Sequence, residues 1–180
     1  GARVFDRVLV LDAQRIIEGM RVLTADPAFR EIVVAGDGNA LAPVLAKQAK
    51  RSNAAVMLLV NVDHRVVAGT PESEIGRRIT YPKLLDRAAA AQQAVGIVPI
   101  GGQLYQLAVV PVPAPHPVAW VVTGFRINDA FAQELRNLTR LEVSLLARHG
   151  EGEWRLHAST LPDADRAALS RDIAANHYSA

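Results

Sequence analysis

The chain has 180 residues, of which half are hydrophobic and 21% are charged, and this composition excludes a disordered or a fibrous protein. Lys and Arg total 20 against 18 Asp and Glu, so a formal net charge of +2 gives no reason to expect nucleic acid as a partner. Cysteine is absent, which excludes disulfide frameworks, cysteine-ligated zinc, iron–sulfur clusters and thiol catalysis.

No apolar stretch is long and unbroken enough to cross a bilayer, which takes about 20 residues. Of the two longest stretches, residues 54–60 are too few and residues 107–122 are interrupted by prolines. The chain begins Gly1-Ala2-Arg3, without an initiator Met, at what the pattern predicts to be the inside of a helix. We therefore expect an excised fragment of a longer protein, so the missing targeting and membrane segments say nothing about the parent.

Residues 3–24 contain no Pro and a single Gly, which predicts one long N-terminal helix. Its apolar side is wider than contact with one sheet requires. Asp12 and Arg15 lie within that side at a spacing that lets them pair, so either they neutralise each other at the edge of the core or a second copy of the helix packs there. For the second arrangement, a homodimer, the residues expected at the seam are Val4, Val8 and Leu11.

Asp26 before Pro27 is typical of a helix start and predicts a second helix that ends at residue 34. Residues 36–39, Gly-Asp-Gly-Asn, interrupt the helical pattern, which resumes over residues 40–50. A phosphate-binding loop would need a preceding strand and a following Lys-Ser/Thr, and neither is present. We interpret the Gly-Asp-Gly segment as a turn.

The remainder of the chain predicts strands joined by short turns, together with three further helices. The predicted strands are residues 54–61, 65–68, 96–100, 103–112, 118–127, 142–147 and 154–158. The predicted helices are residues 82–93, 129–139 and 162–174, the second of them capped by Asn128 or Asp129.

Strands joined by short turns are antiparallel, so the element order predicts an α+β fold. We expect an antiparallel sheet of five to seven strands, with the long N-terminal helix packed across one face. We also expect a single domain over residues 1–180, made of a helix over residues 1–25 and an α+β core over residues 26–180.

The order of parts matches a known type of receptor domain. In residues 45–63 a helix and small polar residues lead into a hydrophobic strand that ends in Asp. Thr70, the pair Ile75-Gly76 and a further helix follow, and His64 stands where Gly is common. This arrangement resembles the Cache and CHASE-type sensor domains of bacterial transmembrane receptors, and the resemblance implies a PAS-like antiparallel sheet. Residues 128–146 resemble the later helix and strand of sensors attached to diguanylate cyclases and histidine kinases.

The resemblance implies a ligand-sensing domain in the periplasm, carried by an inner-membrane protein of the diguanylate cyclase, histidine kinase or chemoreceptor type. Such a domain transmits its signal through terminal helices, has no enzymatic activity of its own and needs no cofactor. Two alternatives stay open: a dimerisation domain without a ligand, and a small enzyme with an unrecognised site.

The sequence contains no combination of reactive residues that identifies an enzyme or a metal site. The nucleophile elbow, the HExxH motif, the Walker loop and the dinucleotide fingerprint are all absent. His149 and His157 lie on the two arms of one predicted hairpin, but zinc would need further ligands that the sequence does not place. His64 and His116 fall in predicted turns, where we expect exposure.

Alternation along the predicted strands gives one candidate ligand site. Tyr105 lies on one face of its strand, and Trp120 shares a face with Arg126 on the next. If these faces coincide, the three residues form an apolar lining with a few polar groups, which suits a small ligand. The alternative is two core aromatic residues and a solvated arginine.

A second candidate is Arg77-Arg78 with Tyr81, in the segment where resembling receptors place elements that cover the ligand. Guanidinium groups bind carboxylates well, but two adjacent arginines cannot both point inward from a regular element. A solvated, structural role for the pair is again the alternative. The combined prediction is a small amino or organic acid bound by Arg78, Tyr81, Tyr105, Trp120 and Arg126.

Overall fold

The computed structural model describes residues 2–113, 119–149 and 153–175. The predicted turn at residues 113–117 therefore lies almost wholly outside the described residues, together with His116 and the turn at residues 150–152. In chain order the elements are α1 (Ala2–Ala25), α2 (Pro27–Ala35), α3 (Gly38–Ser52), β1 (Val56–Asn61), β2 (Val66–Thr70), α4 (Pro82–Ala91), β3 (Ala94–Ile100), β4 (Gln103–Pro111), β5 (Ala119–Arg126), α5 (Asp129–Thr139), β6 (Ser144–His149), β7 (Glu153–Ser159) and α6 (Asp163–Ala175).

The predicted α+β fold with an antiparallel sheet is confirmed. Five strands form one sheet in the order β2-β1-β5-β4-β3, and β6 and β7 form a separate two-stranded sheet. The central sheet thus has five strands, the lower limit of the predicted five to seven. β1 lies inside it, antiparallel to β2 on one side and to β5 on the other, as the apolar pattern predicted.

The chain divides into two compact units. The first consists of residues 1–100 and 105–125, and the second of residues 101–104 and 126–180. A single domain over residues 1–180 stays a prediction.

Local side-chain chemistry explains how the first three helices begin and end. Asp26 accepts a hydrogen bond from the backbone N–H of Ala28 and starts α2, as predicted. Gly36 ends α2 in the left-handed conformation with φ of 69°, and Asp37 at once caps α3 by accepting from the N–H of Asn39 and of Ala40. The Gly-Asp-Gly segment is therefore a helix-to-helix turn, and α3 begins earlier than predicted because Asp37 caps it.

The helices α1, α2 and α3 pack on one face of the five-stranded sheet. The buried residues of this helical layer are Ile17, Met20, Phe29, Val33, Leu41, Leu45 and Ala49. They pack with the sheet residues Met57, Leu59, Ala68, Ala108, Val110, Val112, Ala119 and Val121. The predicted packing of the long first helix across one face is confirmed.

The opposite face of the same sheet carries a second apolar cluster, to which α4 contributes. Its strand residues include Val56, Leu58, Val60, Tyr105, Leu107, Val109, Trp120 and Val122. Leu84, Leu85 and Ala88 of α4 complete the buried set, with Tyr81 packed against it. Because β1 contributes alternate residues to both clusters, the strand is buried on both faces.

Gly69 on β2 allows the closest backbone approach in the hairpin of β1 and β2. Its φ of 140° is one that side chains rarely adopt, and a Cβ atom there would overlap the carbonyl oxygen of Met57. The same atom would lie 2.8 Å from the Cα atom of Leu58. The pairing of β2 with β1 therefore requires glycine at this position.

We expect Gly69→Ala to lower the free energy of unfolding by about 2–4 kcal/mol, because backbone atoms on β1 would have to move. Gly19→Ala is the matched control, since the nearest atom to its new Cβ is Gln48 Nε2 at 3.9 Å. Helix propensity predicts that this variant gains about 0.5–1 kcal/mol. Urea denaturation measures both, and a Gly69→Ala protein as stable as the parent would contradict the described approach of the strands.

In the second unit, Asp129 connects three elements. This first residue of α5 accepts a hydrogen bond from the backbone N–H of Ser159 at the end of β7, at 2.9 Å. It also accepts one from Arg166 Nη1 on α6, at 2.8 Å. The hydrogen bond from Arg166 is the main reason that the pKa of Asp129 lies below its usual range, followed by that from Ser159.

We expect Asp129→Asn to cost at most about 1 kcal/mol at neutral pH, because this ion pair is exposed and the amide oxygen can still accept from Ser159. Asp129→Ala loses both bonds and is expected to cost about 1–2 kcal/mol. The folded pKa is depressed, so the stabilisation is complete above the unfolded pKa of about 3.9 and is lost as the pH falls through the folded value. Urea unfolding of wild type and Asp129→Asn should therefore converge under acid; a difference that does not change with pH would contradict the ion pair.

Candidate ligand-binding site

The turn between β1 and β2 places His64 next to the second apolar cluster. Asn61 organises the turn, because its Oδ1 atom accepts from the backbone N–H of Asp63 at 3.1 Å and of Arg65 at 3.0 Å. His64 adopts the left-handed conformation with φ of 60°, which glycine would occupy without strain.

His64 is half-buried, which corrects the expectation of an exposed turn residue. Its ring lies edge-on to the indole of Trp120, with 6.2 Å between the centroids and 62° between the planes. The alternation of residues along the chain could not reveal this contact, because it depends on the pairing of β1 with β5.

Residues 71–81, here called the covering segment, are hydrogen-bonded to the β1–β2 turn and to the first residue of β2. The N–H of Gly76 donates to the Val66 carbonyl at 2.8 Å, and the N–H of Val66 donates to the Arg77 carbonyl at 2.9 Å. Further on, the N–H of Ile79 donates to the His64 carbonyl at 3.0 Å. The covering segment is thereby fixed to the hairpin and leads directly into Tyr81 and α4.

Three of the five predicted site residues, Tyr81, Tyr105 and Trp120, belong to the same apolar cluster and are here called the aromatic cluster. Tyr105 and Trp120 are each 8% exposed, and Tyr81 is half-buried. Burial, with a smaller contribution from the nearby charge of Glu74, raises the pKa of Tyr81 well above its usual value. Tyr81 therefore keeps its hydroxyl proton at neutral pH and can donate a hydrogen bond.

The indole Nε1 of Trp120 is a buried donor that has no hydrogen-bond partner in the described part of the chain. An indole N–H can only donate, and a buried donor left unpaired costs about 1–3 kcal/mol. A polar group that is buried without a partner in a folded protein calls for an explanation, such as a bound ligand or water. The aromatic cluster thus combines apolar rings with one donor that lacks an acceptor.

The two predicted site arginines are not part of the aromatic cluster. Arg78 is exposed, and its backbone forms an isolated antiparallel bridge with Arg65. Its neighbour Arg77 is also exposed and pairs with Glu74 at 3.4 Å. Arg126 ends β5 with an exposed side chain and belongs to the second unit. The ligand-binding role of all five predicted residues stays a prediction.

Two absences hold for the parts of the chain that the structure describes. No group of three or more His, Asp or Glu residues there could hold a metal ion. No helix in those parts combines the length and the apolar character that a membrane crossing requires. The side chain of His149 lies outside the described residues, so the pairing of His149 with His157 is not decided.

Comparison with known proteins identifies one family, and the similar solved structures include two sensor domains. Residues 1–177 match the dCache_3 family, described as the double sensory domain of two-component sensor kinases. The Escherichia coli DcuS sensor domain aligns with a TM-score of 0.56 and 14% identity, over 65% of this chain and 90% of that chain. The Vibrio cholerae histidine kinase DctB sensor domain aligns with a TM-score of 0.59 and 14% identity, over 94% of this chain and 74% of that chain.

At this level of identity the two structures show a shared fold and nothing more. A search of the curated proteins finds no match. The predicted resemblance to Cache-type sensors is confirmed by the match over nearly the whole sequence: the chain belongs to the dCache_3 family of double sensory domains of two-component sensor kinases.

Proposed function

We propose that this chain is the extracytoplasmic, ligand-binding domain of a membrane-anchored signalling protein. Its family supports the sensory role. The observation that carries ligand binding is the buried Trp120 Nε1 donor, which has no acceptor in the described residues and lies in a cluster with Tyr81 and Tyr105. A small molecule with apolar surface and a hydrogen-bond acceptor fits these groups.

The proposed ligand is an amino or organic acid. A carboxylate offers several acceptor positions to the Trp120 N–H and to the hydroxyl of Tyr81. Arg78 and Arg126 have long exposed side chains, and a guanidinium group that reoriented toward the ligand would form charge-assisted hydrogen bonds with it.

The proposed output is conformational and not chemical. A ligand shifts the domain only if it binds one arrangement of the terminal helices better than another. The family supports a histidine kinase as the parent protein, and the resemblance of residues 128–146 to sensors of histidine kinases and diguanylate cyclases supports a diguanylate cyclase as well. A chemoreceptor is the third parent type in the proposal. In each case catalysis belongs to another part of the parent, which is anchored in the inner membrane.

Thermal-shift screening of amino acids and of linear mono- and dicarboxylic acids tests the ligand proposal. A bound acid at 100 times its dissociation constant should stabilise the protein by about 2.7 kcal/mol. We expect Arg78→Ala and Arg126→Ala each to weaken binding about tenfold, or about 1.4 kcal/mol. Arg51→Ala, an exposed arginine on α3, is the control and should bind as the parent does. Equal shifts in the parent, Arg78→Ala and Arg126→Ala proteins would contradict the proposed site.

A homodimer through α1 is the second part of the proposal. The side chains of Val4, Val8 and Leu11 lie outside the described residues. Helical spacing and the exposed side chain of Val22 support their place at the dimer seam. Val22 is 75% exposed and follows Val4 by five turns of about 3.6 residues, which puts the two on one side of the helix. Buried Ile17 and Met20 lie on the other side, which supports a free apolar side on α1.

We expect Val4→Cys, Val8→Cys or Leu11→Cys to crosslink between subunits in the membrane-bound parent, because the chain itself contains no cysteine. The comparison set is Arg7→Cys, Gln14→Cys and Arg21→Cys. Arg21 donates to Gln93 Oε1 of its own chain at 2.7 Å, so this side of α1 contacts the same subunit. Crosslinking of the comparison set without crosslinking of the first set would show that the helix sides are assigned the wrong way round.

A further inference from the structure

We propose that His64 is a ligand-recognition residue, and that its imidazole and the indole N–H of Trp120 bind the same carboxylate group of the ligand. This inference rests on the proposed function and assigns a residue that sequence patterns place in an exposed turn. It also identifies the β1–β2 turn as the part of the sheet that responds to the bound acid.

The backbone of His64 adopts the left-handed conformation, which is uncommon for a residue with a side chain. Glycine would occupy the position without strain. The turn holds this conformation through the two hydrogen bonds that Asn61 Oδ1 accepts from the N–H of Asp63 and of Arg65. Residues held in such conformations cluster at ligand sites, because the surrounding structure offsets the strain.

The imidazole of His64 lies next to the indole of Trp120. The ring lies in a T-shaped arrangement with the Trp120 indole, whose buried Nε1 donor has no acceptor among the described residues. An imidazole always offers at least one N–H donor. Two donor-bearing rings in contact, one of them without an acceptor, match the several acceptor positions of one carboxylate.

The residues around the turn carry both signs of charge. Arg65 follows His64 directly and forms the backbone bridge with Arg78, and its guanidinium Nη1 donates to the Gly76 carbonyl at 3.1 Å. On the covering segment, the carboxylate of Glu74 pairs with Arg77. The acid on the turn itself is Asp63, which is exposed.

The backbone of His64 also connects the site to the covering segment. The His64 carbonyl accepts from the N–H of Ile79, two residues before Tyr81. A group bound to the imidazole therefore acts on a residue that is hydrogen-bonded to the covering segment.

Tryptophan fluorescence tests the inference. The chain has two tryptophans, so Trp154→Phe leaves Trp120 as the only indole, next to His64. Acetate, glutarate and glutamate are the probes, titrated into Trp154→Phe alone and combined with His64→Asn or with His64→Gly. Asn and Gly both tolerate the left-handed conformation, so these variants are expected to keep the fold. Gln92→Gly is the matched control, because Gln92 has a similar φ of 62° at the end of α4.

We expect at least one of the three acids to change the Trp120 emission. Both His64 variants should bind this acid about tenfold more weakly, or by about 1.4 kcal/mol. Gln92→Gly should bind it as the parent does. In thermal-shift titrations, Trp120→Phe should lose a similar factor. The double variant His64→Asn/Trp120→Phe should lose less than the sum of the single losses, because both residues bind one group.

Two results would overturn the inference, and they are distinguishable. If an acid binds the parent and both His64 variants equally well, His64 is not a recognition residue and the proposed function stands. If no acid of the full screening set shifts the parent protein, the proposed function fails and this inference fails with it.

Discussion

Burial of β1 on both faces is the constraint on which the rest of the first unit depends. The strand pairs with β2 and β5, so its backbone groups are satisfied within the sheet, while its alternate side chains enter two separate apolar clusters. A slip of one residue would exchange the two sets and bury the wrong side chains on each face. The same register places Trp120 opposite Val60, close to the turn that carries His64.

Much of this fold follows from local rules. The helix starts at Asp26 and Asn128 are visible in the sequence because each side chain caps the N–H groups that follow it. The sequence did not predict the early start of α3, because Asp37 lies between two glycines and this pattern is more typical of a turn than of a helix cap. The separation of β6 and β7 from the main sheet could not be predicted, since strand partners depend on contacts between distant parts of the chain.

For the candidate site, the period of two along β4 and β5 was enough to put Tyr105 and Trp120 on one face. It did not reveal that the Trp120 donor lacks a partner, because hydrogen bonding depends on the surrounding atoms. The positions of Arg78 and Arg126 in the sequence suggested guanidinium groups near the aromatic rings, but both side chains are exposed. The direction of an arginine side chain also depends on the surrounding atoms. The turn-forming role of Asn61 could have been predicted, since an Asn followed two residues later by Asp is typical of a tight turn.

The covering segment has a consequence for solubility. An unpaired edge strand is a template on which another chain can add a strand, and the covering segment takes up the N–H and carbonyl groups of Val66, the first residue of β2. β3 forms the other edge of the five-stranded sheet. There Pro99 removes one backbone donor and Gly96 weakens the strand, which makes β3 a poor template for strand addition. Strand addition is therefore opposed at the start of β2 by the chain's own backbone and at β3 by its residue types.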